Sequence, residues 1–409
     1  MGSTMTTNSG TNRRGWTLVC GLLLVMTICH GTISSGLPTL DKALLADLGI
    51  SRGDLKLRET IFLMSSGLAG LGIGILTRHI APRRIVIAGL LLMSATLYAY
   101  SKAATIGQIY ALYVLFGLCF ASSHVVIIVL LIRERFETRR AFATSVALSG
   151  TSIGASLFPP LMVLAQEHMD WRHLLAGLAI VPLLILPVAA FLIRPPRDVA
   201  TTTEESTVAA PVSMASTPRS PLGVTLLIIA TFGTFFGSTA FLLNLFLHLQ
   251  DIGLNPRTAA AGMTVVFTLG LVGKVMVGAA AERWGVQTVW STQHFLLLGG
   301  AILLTLSKPA FAWPGLVLLG LGWAGCYVLT QVVIADFFAG PKLGQLTGWF
   351  IVLEAIGSGS GVWLAGVFYD HFGSYKPGFM LCCALIVVAL VAGLFFRREA
   401  MRLKRAVLV

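Results

Sequence analysis

The sequence predicts an all-α integral membrane protein with twelve transmembrane helices in two parallel repeats of six. Three observations predict this fold: 56% of the 409 residues are apolar and only 11% are charged, long apolar runs recur along the chain, and landmarks of the first half return in the second. Soluble proteins carry about 25% charged residues, so the composition excludes an ordinary soluble domain and a disordered chain. The net charge of +12 is therefore assigned to contacts with lipid headgroups and not to nucleic acid.

Twelve apolar runs are each about 20 residues long, the length that crosses about 30 Å of hydrocarbon as a helix. Strands of a membrane barrel would instead alternate in polarity over about ten residues. The runs lie at positions 16–37, 59–77, 83–101, 107–132, 141–165, 173–193, 222–249, 258–281, 286–306, 312–335, 344–368 and 377–396.

The stretch after the sixth run is rich in Pro, Ser and Thr, which is typical of a flexible linker. It divides the apolar runs into two blocks of six. The predicted organisation is a cytoplasmic tail at 1–15, an N-terminal six-helix bundle at 16–194, a cytoplasmic linker at 195–221, a C-terminal six-helix bundle at 222–397 and a cytoplasmic tail at 398–409.

The distribution of Lys and Arg predicts the orientation. The N-terminus, the even-numbered connections and the C-terminus together carry 19 basic residues, whereas the opposite side carries 9. The acidic residues divide 8 and 8, as expected when positive charge alone sets the orientation. We therefore expect a multi-pass protein of the cytoplasmic (inner) membrane with both termini in the cytoplasm. We also expect it to function as a monomer.

An internal repeat relates the two blocks. The pentapeptide DLGIS at 47–51 returns as DIGLN at 251–255, and Trp171 and Tyr375 open the sixth and twelfth runs at the same offset of 204 residues. Gly74 and Gly278, near the ends of the second and eighth runs, also differ by 204. Parallel six-helix repeats are typical of transporters that work by alternating access, with the binding site near the membrane midplane.

Two loop sequences carry a family resemblance. GAAAERWG at 278–285 matches part of the signature GxxxDRxGRR, and GILTRHIAPRR at 74–84 is an altered copy in which Arg78 replaces the acid. On these residues the chain resembles the major facilitator superfamily, which implies the major facilitator fold. The resemblance also implies that the two loops control gating, through Gly74, Arg83, Arg84, Gly278, Glu282 and Arg283.

Several further stretches resemble the monocarboxylate-transporter-like and oxalate/formate-exchanger-like branch of that superfamily. They are GWTLVCG, RERFETRRAFATSVALSGTSIGASLFPPL, MDWRH, ADFFAGPKLGQLTG and FYDHFGSY, in that order along the chain. This resemblance implies transport of small carboxylates, often together with protons.

Two charged residues, Lys274 and Glu354, lie inside predicted spans, whereas the other 44 of the 46 lie in connections or at span ends. An ionised side chain at bilayer depth costs about 2.5–3.5 kcal/mol on insertion scales, so each marks a functional site. In monocarboxylate transporters an arginine that pairs with the substrate carboxylate occupies the place of Lys274. The alternatives are that Lys274 snorkels to the interface, and that Glu354 forms a structural hydrogen bond or a permanent ion pair with Lys274.

The functional hypothesis joins this pair. Burial disfavours the charged form of a carboxyl group and a nearby cation favours it, so an anion that binds Lys274 would promote protonation of Glu354. Histidines titrate near physiological pH and extend the list of candidates. The predicted substrate-binding residues are Lys274, His30, His124, Asn244, Tyr327 and Gln331, and the predicted proton-coupling residues are Glu354 and His248.

Each of these polar residues has a structural alternative. A membrane histidine is as often a packed hydrogen-bonding residue, and Tyr327 or Gln331 could hold helices together. Arg58, beside the second span, is predicted either to guard the outer mouth or to contact a lipid headgroup.

Motifs of other functional classes are missing from the sequence. It has no GxxxxGK[ST] loop, HExxH or paired CxxC, which argues against a primary pump, a metal site and any cofactor. We predict a secondary transporter, not an enzyme, that moves a small organic anion, preferentially a monocarboxylate, inward with protons. The alternatives are an anion exchanger, a proton-coupled exporter of amphipathic compounds and, less favoured, a non-transporting ligand sensor.

Overall fold

The computed structural model describes residues 8–77, 79–123, 125–133, 135–136, 139–193, 220–338 and 343–407. Within these ranges the regular structure is helical and contains no strand. The predicted linker at 195–221 lies almost entirely outside the described residues, and His124 and Arg78 lie outside them as well.

Fifteen α-helices follow one another in the described chain. They are α1 (Asn8–His30), α2 (Asp41–Leu48), α3 (Arg52–Leu76), α4 (Pro82–Ser101), α5 (Ile106–Ser122), α6 (Val125–Arg133), α7 (Arg140–Gln166), α8 (Trp171–Leu178), α9 (Ile180–Leu192), α10 (Pro221–Asp251), α11 (Pro256–Trp284), α12 (Val286–Thr305), α13 (Pro309–Phe337), α14 (Leu343–Phe372) and α15 (Lys376–Val407). A π-helix (Gly31–Gly36) and a 3₁₀ turn (Leu37–Leu40) join α1 to α2.

Ten helical stretches of the described chain are long and apolar enough to cross a membrane, and α11, bent by 42° between Lys274 and Met276, would be an eleventh. The remaining predicted span corresponds to α12, whose 20 residues begin with a polar half. Two of its polar side chains are paired internally: His294 bonds Thr234 at 2.7 Å, and the Trp290 indole donates to Thr330 at 3.0 Å. This internal pairing explains how a helix of low hydropathy fits among apolar ones.

The chain forms two compact units. The first comprises residues 1–48 and 65–203, and the second comprises residues 49–64 and 204–409, as far as each is described. The bounds of the predicted bundles at 16–194 and 222–397 stay predictions, and these units place one segment, residues 49–64, differently. That segment packs within the C-terminal unit, although the sequence prediction included it in the N-terminal bundle.

Pairs of glycines bring two helices together in each unit. In the N-terminal unit, a side chain on Gly150 or Gly154 of α7 would collide with backbone carbonyls of Leu23 and Thr27 on α1. In the C-terminal unit, Gly357 and Gly361 of α14 approach carbonyls of Phe232 and Phe236 on α10 in the same way. Small residues allow this close backbone approach, and the shared device supports the predicted repeat.

Helix α3 begins seven residues before its predicted span, and this corrects the sequence analysis. The Ser51 hydroxyl caps the helix by accepting from Asp54 N at 3.1 Å, and Asp370 accepts from the backbone of Arg52 and Gly53 at 2.8 and 2.6 Å. The expectation that Lys274 and Glu354 are the only charged residues inside spans is therefore wrong. Buried charges on α3 include Lys56, Arg58 and Glu59, which are at most 1% exposed.

Candidate functional site

Lys274 lies where α11 bends. It is the last residue before the 42° change of direction, and its side chain is half-buried. Its ammonium group lies 5.8 Å from the centroid of the Trp323 ring on α13, a separation at which a cation is attracted to an aromatic face. Interrupted helices are typical of transporter sites, because the backbone groups freed at the interruption can bind the substrate or a coupling ion.

Trp323 is held in place by its neighbours. A Cβ atom on Gly270, one turn before Lys274, would lie 3.1 Å from its ring, so the glycine allows the indole to approach α11 closely. Phe267 packs edge-on against the same ring, with centroids 5.6 Å apart and planes at 86°. The indole therefore forms a fixed wall beside the Lys274 cation.

Helix α13 presents three polar or aromatic side chains at four-residue intervals: Trp323, Tyr327 and Gln331. All three are partly exposed, whereas the residues at 324–326 are buried. Residues four apart lie on one helix face, and eight residues span about 12 Å along the axis. The three side chains therefore form a stripe that extends away from Lys274.

Glu354 on α14 lies at the other end of this stripe. Its carboxylate is 8% exposed and accepts a hydrogen bond from the Gln331 amide at 2.6 Å. In the part of the chain that the structure describes, Glu354 forms no ion pair with Lys274. Of the two structural alternatives, the hydrogen bond is thus present and the permanent pair is not.

We call this group the α13 stripe; it consists of Lys274, Trp323, Tyr327, Gln331 and Glu354. It joins a cation, two aromatic rings, an amide and a buried carboxyl group on three helices of one unit. Tyr327 also lies within electrostatic range of Glu354 and packs against Phe235, with ring centroids 5.9 Å apart. Such a set can bind an anion at one end and hold a proton at the other.

The remaining predicted site residues of the C-terminal unit lie in packed surroundings. His248 is buried, its Nε2 lies 3.0 Å from the Leu304 carbonyl oxygen, and its ring packs against Phe379. Asn244 is fully buried and donates to the carbonyls of Ala240 and Val362 at 2.9 and 3.3 Å. Both side chains connect helices, and their predicted roles in coupling and binding stay predictions.

His30 is the last residue of α1 and packs against Phe120, with ring centroids 4.3 Å apart. It directly precedes the π-helix at Gly31–Gly36, a conformation that often marks a functional site. His124, the other predicted ligand in the N-terminal half, lies outside the described residues. The structure thus gives His30 an unusual backbone environment and leaves its role in binding a prediction.

The residues implied in gating occupy helix ends. Gly74 and Gly278 are exposed and have open space at the Cβ position, and Arg84, Glu282 and Arg283 are exposed. Arg83 differs, because its guanidinium donates to the Ala190 carbonyl at 2.8 Å and ties α4 to α9. Arg83 therefore has a packing role in addition to the predicted one.

Arg58 is fully buried, so the headgroup contact expected as one alternative does not occur in this structure. Its Nη2 lies 3.3 Å from Glu59 Oε1, and Lys56 donates to the Leu243 carbonyl at 2.5 Å. Sequence reasoning missed Lys56 and Glu59 because the segment RGDLKLRET resembles a polar loop. The buried Leu55 and Phe62, seven residues apart on one helix face, are the signal that could have found them.

A charged cluster that sequence reasoning also missed holds the start of α3. The Arg52 guanidinium forms a two-pronged ion pair with Asp251, at 2.5 and 2.8 Å, and lies 3.6 Å from the Tyr369 ring centroid and 5.1 Å from that of Tyr375. Asp370 accepts from the backbone of Arg52. This Arg52 cluster joins α3, α10, α14 and the residue directly before α15 within the C-terminal unit.

The Arg52 cluster has a counterpart in the N-terminal unit. There Asp47 pairs with Arg172 at 2.9 Å, and the guanidinium lies 4.2 Å from the Trp171 ring centroid. Asp47 and Trp171 are the repeat partners of Asp251 and Tyr375. Each unit therefore contains the same combination of an acid, an aromatic ring and an arginine. In the N-terminal unit the arginine is Arg172 of α8, whereas in the C-terminal unit it is Arg52 of α3.

Comparison with known proteins gives consistent matches. The family model of the Major Facilitator Superfamily matches residues 22–333. The chain is 26% identical to monocarboxylate transporter 12 of Rattus norvegicus over 96% of this chain and 87% of that protein. It is 24% identical to the multidrug resistance protein MdtL of Escherichia coli, over 91% and 94%. The crystal structure of the nucleoside transporter NupG has the same fold, with a TM-score of 0.73 at 11% identity over 93% of this chain and 98% of that one.

Proposed function

Because the chain belongs to the major facilitator superfamily, we propose that it is a secondary transporter that carries a small organic anion, a monocarboxylate, together with protons by alternating access. The α13 stripe is the observation that supports this substrate most directly. It offers one cation for one carboxylate and one buried carboxyl group for one proton. The similarity to monocarboxylate transporter 12 supports the same substrate class.

Lys274 supplies the anion site in this proposal. Its side chain is half-buried beside Trp323, where fewer water molecules compete for the cation than at an open surface. A lysine presents a point charge on a flexible stem and lacks the planar fork of an arginine. The carboxylate is therefore bound with a less fixed geometry, and the rest of the substrate has to be oriented by the neighbouring rings.

Glu354 supplies the proton site. It contacts Gln331, which lies eight residues, or about 12 Å of helix axis, along α13 from Trp323, the ring beside Lys274. Unit charges at that separation interact by about 1.4 kcal/mol at an effective dielectric constant of about 20, which is about a tenfold change in an equilibrium. An anion that neutralises Lys274 would favour protonation of Glu354 by up to this factor, so anion and proton would be carried together.

The proposal includes inward transport across the cytoplasmic membrane, by a monomer without a cofactor and with both termini in the cytoplasm. Positive charge on one side of the membrane supports this orientation. The function requires only the anion, protons and the surrounding lipid.

A second candidate function is anion exchange or proton-coupled export of amphipathic compounds. The similarity to the multidrug resistance protein MdtL and the aromatic side chains of the stripe favour the exporter. A ligand sensor that does not transport is the third candidate.

Uptake of radiolabelled carboxylates into proteoliposomes tests the three candidates, measured with and without an imposed pH gradient. Symport predicts accumulation that depends on the gradient, exchange predicts uptake only against an internal anion, and a sensor predicts binding without uptake. Lys274→Gln should abolish uptake while the protein remains folded. Export of amphipathic dyes without carboxylate uptake would favour the second candidate.

Glu354→Gln tests the proton site separately. The amide cannot carry the coupled proton, so accumulation driven by a pH gradient should disappear, whereas counterflow, in which only anions exchange, should persist. A substitution of the exposed acid directly after α7, Glu167→Gln, provides a matched control for loss of one carboxylate. Unchanged gradient-driven accumulation in Glu354→Gln would contradict the role of this residue.

A further inference from the structure

Aromatic rings line the face of the C-terminal unit between Lys274 and Glu354. Trp323 and Phe267 pack edge-on at 5.6 Å, and Tyr327 and Phe235 pack at 5.9 Å with planes at 66°. Trp323 and Tyr327 are partly exposed, whereas Phe235 and Phe267 are 8% and 7% exposed and support them from behind. The accessible surface beside the cation is therefore aromatic, and each of its two rings packs against a buried ring.

The length of this surface discriminates among carboxylates. From Trp323 to Gln331 the α13 stripe extends about 12 Å. An acid of two or three carbons bound at Lys274 would cover only the end near Trp323 and would leave the exposed part of Tyr327 uncovered. An acid with a ring beyond its carboxylate would cover both aromatic side chains and bury more apolar surface.

The charges discriminate as well. The polar groups of the stripe beyond Tyr327 are the Gln331 amide and the Glu354 carboxylate, 2.6 Å apart. A second carboxylate on the substrate would lose its hydration beside Glu354 without a second cation of the stripe to pair with, which is unfavourable whether or not Glu354 carries its proton. The far end therefore suits a neutral group.

We infer that the transported anion is an aromatic monocarboxylate, with its carboxylate on Lys274 and its ring against Trp323 and Tyr327. This inference rests on the proposed function, because the same Lys274 site holds the anion. Trp323 is then a specificity-determining residue: it selects the ring, whereas Lys274 selects the charge.

The test compares propanoate with 3-phenylpropanoate, which differ by one phenyl group, and uses succinate as the dicarboxylate. Dissociation constants are measured by thermal-shift titration of the purified full-length protein. We expect 3-phenylpropanoate to bind at least about tenfold more tightly than propanoate, since burial of a phenyl group favours binding by that factor or more. Succinate should bind no more tightly than propanoate.

Variants assign the preference to the indole. Trp323→Leu should remove most of the tenfold ratio and change propanoate affinity by less than about threefold, whereas Trp323→Phe, which keeps a ring, should retain most of it. Trp313→Leu, at an exposed tryptophan of the same helix, should leave the ratio unchanged. Trp323→Phe also provides a readout if the leucine variant does not fold.

The outcomes separate the two proposals. Equal affinities of the wild-type protein for the two acids, or an unchanged ratio in Trp323→Leu, would overturn the aromatic specificity. If Lys274→Gln still weakens every acid in that case, the proposed anion site stands. If Lys274→Gln leaves 3-phenylpropanoate binding unchanged, the anion site of the proposed function is wrong, and the assignment of the substrate carboxylate to Lys274 is wrong with it.

Discussion

Lys274 and Glu354 show that the chemistry of a charged side chain inside a span depends on its neighbours. Lys274 lies directly before the bend of α11, and its ammonium group lies 5.8 Å from the Trp323 ring centroid. Glu354 would be an unpaired buried acid without Gln331, whose amide donates to it at 2.6 Å. An amide that bonds the carboxylate also tolerates its protonated form, because the amide group can donate or accept. Glu354 can therefore change its protonation state without losing its partner.

Asp170 permits a prediction at the residue scale outside the membrane spans. Its carboxylate accepts from His173 N at 2.8 Å and contacts the His173 ring nitrogen at 2.8 Å, and the backbone bond, followed by the ring contact, lowers the pKa of Asp170. A lowered pKa in the folded state means that the stabilisation is present above the unfolded value, about 3.9, and is lost as pH falls through the folded value.

We therefore expect Asp170→Ala to lower the thermal midpoint near neutral pH, and the difference from wild type to shrink as pH falls below about 4. Asp170→Asn, which keeps a capping oxygen but does not titrate, is the control, and its small difference from wild type should vanish in the same range. A difference for Asp170→Ala that is constant with pH would contradict the ionic part of this cap.

At the scale of elements, two glycine pairs determine how closely helices pack. Gly154 lies where a Cβ atom would collide with the Thr27 carbonyl, whereas a Cβ atom on Gly72 of α3 would have no neighbour within 4 Å. Gly154→Ala should therefore destabilise the protein by about 1–3 kcal/mol, the usual cost of overpacking. Gly72→Ala, which only improves helix propensity, should be neutral or stabilising by up to about 1 kcal/mol.

Unfolding in mixed micelles, followed by circular dichroism, gives the free energy of unfolding of the Gly154→Ala and Gly72→Ala variants. Equal stabilities of Gly154→Ala and Gly72→Ala would show that α7 and α1 can separate without cost. Gly361→Ala on α14 should behave like Gly154→Ala, because it meets the Phe236 carbonyl in the same way.

The start of α3 depends on the Arg52 cluster. Arg52→Gln removes a two-pronged ion pair with Asp251 and the stacking on Tyr369, and hydrogen bonds to charged groups contribute about 1.5–3 kcal/mol each. We expect a loss of about 1–3 kcal/mol in the free energy of unfolding, because Arg52 and Asp251 are partly exposed and the pair is partly screened.

Lys376→Gln is the matched control for Arg52→Gln. Lys376 is the repeat partner of Arg172 and is exposed, so its substitution should change stability by less than about 0.5 kcal/mol. The double variant Arg52→Gln, Asp251→Asn tests whether the two side chains interact, because the substitution of interacting partners gives non-additive changes in the free energy of unfolding. A loss equal to the sum of the two single losses would show that they do not interact.

At the scale of the whole molecule, the repeat is present in both sequence and structure, but its two copies are not equivalent. Each unit has a glycine-mediated helix pair and an end cluster of acid, aromatic ring and arginine. Only the C-terminal unit takes in a segment of the other half of the sequence, residues 49–64, whose helix continues as residues 65–76 of the N-terminal unit. The candidate binding groups are also divided unequally between the units, because all five residues of the α13 stripe lie in the C-terminal unit.

The orientation of the whole chain is also testable. Basic residues at the end of α15, such as Arg397, Arg398 and Arg402, predict a cytoplasmic C-terminus. A green fluorescent protein fused after Val409 should fluoresce, and alkaline phosphatase fused at the same place should be inactive. Active phosphatase at this position would reverse the proposed orientation and the direction assigned to transport.

The sequence by itself determined the features that depend on composition and period. Apolar runs of bilayer length predicted helices and no strands, an offset of 204 residues predicted the repeat, and the cost of a charge in lipid singled out Lys274 and Glu354. These features are local or periodic, so one chain is enough to recognise them.

Only the tertiary structure decided which side chains meet. It placed Gln331 on Glu354 and Trp323 beside Lys274, paired Arg52 with Asp251 across 199 residues of sequence, and buried Lys56 in a helix that its polar sequence does not suggest. The physical reason is that these contacts join different helices. Helix packing fixes which faces touch, and a charge is tolerated inside the membrane only where that packing provides its partners.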